Sequence, residues 1–124
     1  MRDRDPYVEH LLELLTPVGE PTARRMFGGW GLYVDGVMVV LVADEMAFLK
    51  VDDESKPAFT AAGSSPFLYS HKGREISMSY WSVPDAALDS PEAMQPWAQL
   101  ALEAARRKAA AKPARRKPAT RRLR

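Results

Sequence analysis

The sequence predicts a two-layer α+β fold, with a mostly antiparallel sheet of about five strands and helices packed on one face. Apolar residues at helical spacing open and close the predicted body, whereas its middle carries short strand-like runs separated by tight-turn signals. The connections are short, and no strand–helix–strand pattern of the parallel kind is sustained. The predicted order is a helix, three or four strands, a helix, two strands and a helix.

A hairpin signal lies at the centre of the predicted sheet. Asp35-Gly36 separates two runs of strand-forming residues, 30–34 and 37–42. Asp-Gly is a preferred pair for a two-residue turn, because both central positions need positive φ, which Gly accepts freely and Asp tolerates. The two runs are therefore predicted to pair as antiparallel strands.

The remaining strands follow from similar signals. Asp44-Glu45 is predicted to form a second tight turn, which leads into a third paired strand over 46–51. Two further strands are predicted over 67–69 and 75–81. The second of these alternates apolar and small polar residues, as a half-exposed antiparallel strand does.

The run 37–42 is apolar on both of its predicted faces. Strict alternation assigns the two faces as follows: Val37, Val39 and Leu41 on one, and Met38, Val40 and Val42 on the other. This pattern is typical of a central strand that is covered on both sides. Helices can cover one side, and a second copy of the chain is predicted to cover the other. The resulting homodimer would be refuted by a monomer in sedimentation at high micromolar concentration.

Three glycines interrupt the strand-like segment before the hairpin. Gly28, Gly29 and Gly31 imply a bulge, or a neighbour so close to the backbone that a Cβ would clash. The alternative is a glycine-rich phosphate cradle. That alternative has less support, because the segment matches neither common phosphate-binding glycine motif and precedes a strand rather than a helix.

Helix starts are marked by a capping residue followed by proline. The pattern occurs at Asp5-Pro6 and Ser90-Pro91, where the first side chain can accept from free N–H groups and proline has no N–H to satisfy. A short helix capped by the acidic segment 52–55 is predicted to reach residue 62.

The last helix has a broad apolar face, spanning an arc of roughly 200° at about 100° per residue. Its members are Met94, Trp97, Ala98, Leu100, Ala101, Leu102, Ala104 and Ala105. Lys108 falls back inside this arc, where a packed helix would not place an ammonium group. The folded body is therefore predicted to span residues 1–107, and a separate tail to span 108–124.

The charges of the chain are segregated. The chain has 18 basic and 16 acidic residues, yet residues 1–105 hold only 8 of the basic residues and all 16 acidic ones, a formal charge of −8. The ten remaining basic residues follow without any acidic residue. They are Arg106, Arg107, Lys108, Lys112, Arg115, Arg116, Lys117, Arg121, Arg122 and Arg124. Such asymmetry suggests a polyanion partner for the tail.

The tail is predicted to be disordered when free, because lysine, arginine, alanine and proline bury too little apolar surface to offset the entropy of ordering. Its charges can neutralise phosphates with release of counterions, which gives non-specific, salt-sensitive binding to nucleic acid. It has no aromatic residue to stack on bases. The alternatives are a solubilising extension and a segment that folds back onto the acidic body.

Catalytic chemistry finds little support. The chain has no cysteine and two separated histidines, His10 and His71. Ser77 and Ser79 have no evident partner base and are better explained as small polar residues on a solvated face. The cluster Asp52, Asp53 and Glu54 suggests a weak cation site, but helix capping accounts for it better. A non-enzymatic protein with no cofactor and no metal is expected, in the cytoplasm and associated with the nucleoid through its tail.

Residues 7–107 resemble the N-terminal domain of the TfoX/Sxy proteins. The resemblance rests on ARRMFGGWGLYVDGVMVVLVADEMAFLKVDD, on ISMSYWSVP and on the closing PWAQLALEAARR. Its more specific positions are Arg24, Arg25, Met26, Phe27, Gly28, Gly29, Trp30, Gly31, Met78 and Tyr80.

The resemblance implies a secretion-chaperone-like α/β fold and a role in regulating natural competence, where family members act as transcriptional co-activators. It implies no catalytic residue. Family regulators continue into a second helical domain, whereas this chain continues into the basic tail. The function expected is a non-enzymatic co-regulator with a protein partner, such as the transcription machinery, and a tail with non-specific nucleic-acid affinity. The alternative is a protein-interaction or chaperone-like module whose tail is only solubilising. No membrane partner is expected.

Overall fold

A single antiparallel sheet of six strands forms one layer of the protein, in the spatial order β1-β2-β3-β4-β6-β5. The computed structural model describes residues 5–26, 28–71 and 73–116. The strands are β1 Pro21–Met26, β2 Gly29–Val34, β3 Val37–Ala43, β4 Met46–Lys50, β5 Pro66–His71 and β6 Arg74–Ser82. The helices are α1 Pro6–Leu14, α2 Lys56–Ala61 and α3 Pro91–Arg116, with 3-10 turns at Thr16–Val18 and Asp85–Asp89.

The predicted α+β class and element order are confirmed. The first group contains four strands, because β1 pairs with β2 along its whole length, and this brings the sheet to six strands. Among the helices within the described ranges, none combines the length and the apolar character needed to cross a membrane.

Both predicted tight turns are present. Asp35 and Gly36 have φ angles of 54° and 82°, so the β2–β3 hairpin closes with positive φ at both central positions. Asp44 and Glu45, between β3 and β4, have φ angles of 51° and 63°. The second turn adopts this conformation without any glycine, at a conformational cost that the flanking strand pairs must offset.

A bulge in β3 corrects the predicted alternation of its side chains. Leu32 pairs with Val40 and Tyr33 pairs with Met38, so Val39 is an extra residue on this strand. The extra residue shifts the alternation, which places Val37 on the same face as Val40 and Val42. The prediction of strict alternation over 37–42 is therefore wrong.

One face of the sheet carries the core. Leu32, Val40, Leu49 and Trp81 lie side by side across β2, β3, β4 and β6. Leu32, Val40 and Leu49 are buried in one cluster with side chains of all three helices. Burial of apolar area on this face is the main stabilising contribution to the fold.

The opposite face is also apolar, and the chain covers part of it with its own side chains. Phe48 is only 7% exposed, and its ring centre lies 4.9 Å from that of Phe67. The Tyr80 hydroxyl donates to the Met38 carbonyl at 3.4 Å. The second face of β3 therefore gains cover within one chain, and the homodimer inferred from that face stays a prediction.

The final helix begins where it was predicted to begin. The Ser90 hydroxyl oxygen accepts from the backbone N–H of Ala93 at 3.1 Å, so Ser90 caps the helix. The predicted apolar face packs onto the body, with Met94, Ala98, Ala101, Leu102, Ala104 and Ala105 buried. The ring of Trp97 meets buried Phe59 of α2 edge-on, with ring centres 5.0 Å apart.

Helical structure extends past the predicted end of the body. α3 continues to Arg116, whereas the body was predicted to end at residue 107. The alanines at 109–111 favour this continuation, because alanine is the strongest helix former. The last part of the predicted tail, 117–124, lies outside the described residues.

Candidate functional site: the basic end of the last helix and the family motif

The basic segment begins where α3 is still attached to the body. The guanidinium of Arg106 contacts the carboxylate of Asp35 at 2.5 Å, and both side chains are about half exposed. Asp35 is also a central residue of the β2–β3 turn. This exposed ion pair contributes little stability, about 1 kcal/mol at most, but it connects the helix to the central hairpin.

Arg107 makes the stronger attachment. Its Nε and Nη2 donate to the two carboxylate oxygens of Asp52 at 2.6 and 3.0 Å, and its Nη1 lies 3.5 Å from Glu54. The hydrogen bond from Arg107 is the main cause that lowers the pKa of Asp52 to about 2, and the backbone N–H of Ser55 assists it. The same hydrogen bond raises the pKa of Arg107. Two planar groups paired in this way fix the direction of the helix as well as its position.

The predicted phosphate-binding residues thus fall into three groups. Arg106 and Arg107 are paired with carboxylates of the body. Four more lie on the last turns of α3 at spacings i, i+4, i+7 and i+8, which places them along one side of the helix. They are Lys108, Lys112, Arg115 and Arg116, here named the basic helix face. The other four, Lys117, Arg121, Arg122 and Arg124, lie outside the described residues.

The family motif at residues 24–31 forms the β1–β2 hairpin. A Cβ added to Gly29 would lie 2.0 Å from the Val42 carbonyl oxygen, and one on Gly31 would lie 2.9 Å from the Met38 sulfur. Gly28 occupies the turn with a φ of 78°. Gly29 and Gly31 therefore allow the close approach predicted for these glycines, whereas nothing lies within 4 Å of a Cβ added to Gly28. Phe27 lies outside the described residues.

The two arginines of the motif take opposite sides of the sheet. Arg25 pairs with Trp30 in the strand register, and its guanidinium lies over the Trp30 ring at 5.1 Å from the centre. Arg24 lies over the ring of Tyr33 at 5.1 Å, on the other side. Both are stacked on aromatic rings, an arrangement that arginine favours.

A cavity of about 740 Å³ opens beside this hairpin. It is named the motif cavity, and it is lined by Asp5, Tyr7, Arg25, Gly28, Gly29, Trp30, Val42, Asp44 and Glu45. Four of these residues belong to the family motif, and three are carboxylates. Burial raises the pKa of Tyr7, so its phenol stays protonated at neutral pH.

The other described motif residues are not among those that line this cavity. Met78 and Tyr80 belong to β6. Burial raises the pKa of Tyr80 to about 12, and Tyr33 contributes to the shift. Met26 and Gly31 lie on the same side of the sheet as Tyr33. The motif residues are therefore divided between the two sides of the sheet and do not converge on one site.

A second cavity, of about 490 Å³, lies where α3 leaves the body. It is named the junction pocket, and it is lined by Lys50, Val51, Asp52, Asp53, Lys56, Ser79, Trp81, Ala104, Arg107 and Lys108. Lys50 is buried, and its Nζ donates to the Ser79 hydroxyl oxygen at 2.6 Å. This pair was missed in the sequence, because the two residues are 29 positions apart and no local pattern joins them.

Two of the candidate metal-ligating residues, Asp52 and His10, have partners within the chain. Asp52 is held by Arg107 and Ser55, and the Nε2 of His10 lies 3.4 Å from the Leu88 carbonyl. Within residues 5–26, 28–71 and 73–116, no three histidine or carboxylate groups lie together in a way that could hold a metal ion.

Comparison with known proteins identifies a family that matches most of this chain. The search of curated proteins gives no match. The family described as TfoX N-terminal domain matches residues 13–105, which cover the end of α1, the whole sheet, α2 and α3 up to the start of the basic segment. The chain therefore belongs to the family of proteins that carry the TfoX N-terminal domain.

Proposed function

We propose that this protein is a non-enzymatic, TfoX-like co-regulator of transcription, of the kind associated with competence, and that its basic helix face holds it on nucleic acid. The observation that carries the proposal is the recurrence of Lys108, Lys112, Arg115 and Arg116 along one side of α3, directly after the family domain ends. The family supports the regulatory role, and the charges support the polyanion partner. The protein would then act in the cytoplasm, at the nucleoid.

The geometry of this face suits a duplex. An α-helix fits the major groove, and cations along one side of a helix can contact successive phosphates. Each phosphate neutralised releases counterions, so the affinity should fall steeply as salt rises. Contacts from lysine and arginine to phosphate position a protein on the duplex without reading the base sequence. Non-specific binding is therefore expected.

A duplex titration tests this proposal. The triple variant Lys112→Gln, Arg115→Gln, Arg116→Gln should bind a fluorescent duplex at least about tenfold more weakly at low salt, with a salt slope reduced by about 2 to 3, because each phosphate contact contributes roughly 0.9 to the slope. The measurement is fluorescence anisotropy at several salt concentrations.

A control outside α3 is Arg24→Gln, which removes one exposed basic residue from β1. It should leave the affinity and the slope nearly unchanged. Equal binding by the parent and the triple variant, or binding indifferent to salt, would contradict the proposal and favour a solubilising role for the basic segment.

A second proposal concerns the body: the motif cavity receives a basic segment of a partner protein. Asp5, Asp44 and Glu45 give the cavity an acidic rim, and Trp30 and Tyr7 provide aromatic surface beside it. Carboxylates next to aromatic rings favour a guanidinium or ammonium group. This arrangement supports an interaction module, whether or not the partner belongs to the transcription machinery.

Crosslinking in cells, followed by identification of the bound proteins, tests the cavity. The double variant Asp44→Asn, Glu45→Gln should no longer crosslink to a partner whose contacting segment is rich in lysine or arginine. Asparagine at position 44 preserves the turn, because it tolerates positive φ. Glu13→Gln, Glu20→Gln removes the same charge from exposed positions elsewhere and should retain that partner. Identical partners for all three proteins would refute the assignment.

A further inference from the structure

We propose that the junction pocket binds a small molecule that carries a phosphate group next to an apolar or ring-shaped part. The pocket lies between the end of β4, the first turn of α2 and α3. Its volume of about 490 Å³ falls within the roughly 300–1,000 Å³ that is usual for small-molecule sites. Lys108 belongs both to this pocket and to the basic helix face, whereas the other residues that line the pocket take no part in the proposed DNA contact.

The charges that line the pocket favour an anion. Lys50, Lys56, Arg107 and Lys108 contribute four cations, against the two carboxylates of Asp52 and Asp53. Arg107 and Asp52 are paired with each other, so the other lining charges are those of Lys50, Lys56 and Lys108 against that of Asp53. The pocket therefore presents an excess of donors with positive charge, which is what a phosphate group requires.

The Lys50–Ser79 pair gives the pocket a fixed donor. Lys50 is 6% exposed, its Nζ lies 2.6 Å from the Ser79 hydroxyl oxygen, and it lies 5.0 Å from the centre of the Tyr80 ring. Because Ser79 accepts from Lys50, its own hydroxyl proton is available for a phosphate oxygen. Ser79 is exposed, so a ligand can reach it.

Trp81 defines the other part of the ligand. Its ring is half-buried, packs against the core and lines the pocket. A half-buried indole offers a flat apolar surface for a ring or a hydrocarbon portion. The ligand class that fits both features is a phosphate monoester of a cyclic or apolar alcohol.

Titration with phenyl phosphate, monitored through amide chemical shifts, tests the site. Phenyl phosphate should bind saturably in the millimolar range or more tightly, and more tightly than inorganic phosphate or phenol alone. Lys56→Gln, an exposed position in the first turn of α2, should weaken that binding about five- to tenfold, as expected for loss of a charge-assisted contact. Lys50→Met should weaken it at least as much, and Lys56→Gln decides the question if the Lys50 variant does not fold.

The triple variant Lys112→Gln, Arg115→Gln, Arg116→Gln is the control. It should bind phenyl phosphate like the parent, although it is expected to lose affinity for a duplex, so failure of the DNA proposal and failure of this one can be told apart. The assignment would be overturned by lack of saturation, by equal binding of phenol and phenyl phosphate, or by loss of binding in the triple variant with retention in Lys56→Gln.

Discussion

Gly29 and Gly31 lie two residues apart on β2, and a different neighbour lies close to the backbone of each. Gly29 faces the Val42 carbonyl, which belongs to the backbone of the adjacent strand, whereas Gly31 faces the thioethers of Met26 and Met38. A backbone carbonyl cannot move without disturbing the strand pairing, but the end of a methionine side chain can rotate away. The requirement for glycine is therefore stricter at residue 29.

The variant Gly29→Ala should be destabilised by about 3 kcal/mol or more, because its Cβ would overlap the Val42 oxygen and force β2 and β3 apart. Urea unfolding followed by circular dichroism gives the free energy of unfolding. Gly31→Ala is the matched control in the same strand, and its cost should stay near 1 kcal/mol because methionine adapts. Similar losses for the two variants would refute the distinction.

At the scale of elements, α3 is joined to the loop before α2 by the Arg107–Asp52 fork. The pKa of Asp52 is lowered from 3.8 to about 2 in the folded protein. A carboxyl with a lowered folded-state pKa stabilises the fold above its unfolded pKa, and this stabilisation is lost as the pH falls through the folded value. The contribution should therefore be complete above about pH 5 and disappear toward pH 2.

Replacement of Asp52 by asparagine tests this pH dependence. The parent should exceed Asp52→Asn in free energy of unfolding by about 1 kcal/mol near neutral pH, since solvent screens a partly exposed pair, and the difference should shrink between about pH 4 and pH 2. Chemical denaturation across that range measures it. Asp53→Asn removes the same charge from the next, exposed position and serves as the control for net charge. A difference that does not change with pH would argue against the fork.

How far the sequence predicts these elements depends on the range of the interaction. The Asp35-Gly36 turn was predictable, because its backbone preference is local. The bulge at Val39 was not, since one extra valine in an apolar run changes no local signal. The Arg107–Asp52 and Lys50–Ser79 contacts span 55 and 29 positions, and only the folded sheet brings these residues together.

At the scale of the whole molecule, acidic and basic residues are separated along the chain but contact each other where α3 leaves the body. Residues 1–105 carry 16 acidic residues, and the basic segment begins directly after them. Its first two members, Arg106 and Arg107, fold onto that acidic body. One alternative, a basic segment that folds back, thus applies to these two arginines, while the basic helix face beyond them remains the proposed contact with nucleic acid.

The unbroken course of α3 has a mechanical consequence. At 1.5 Å per residue, the stretch from Arg107 to Arg116 reaches roughly 14 Å from its anchored base. A bound duplex would therefore lie at a fixed distance and angle from the sheet, because a helix rather than a flexible linker connects the two. Two copies on neighbouring stretches of DNA would then face each other in an orientation that changes with their spacing along the double helix, so that spacing itself could govern which surfaces meet.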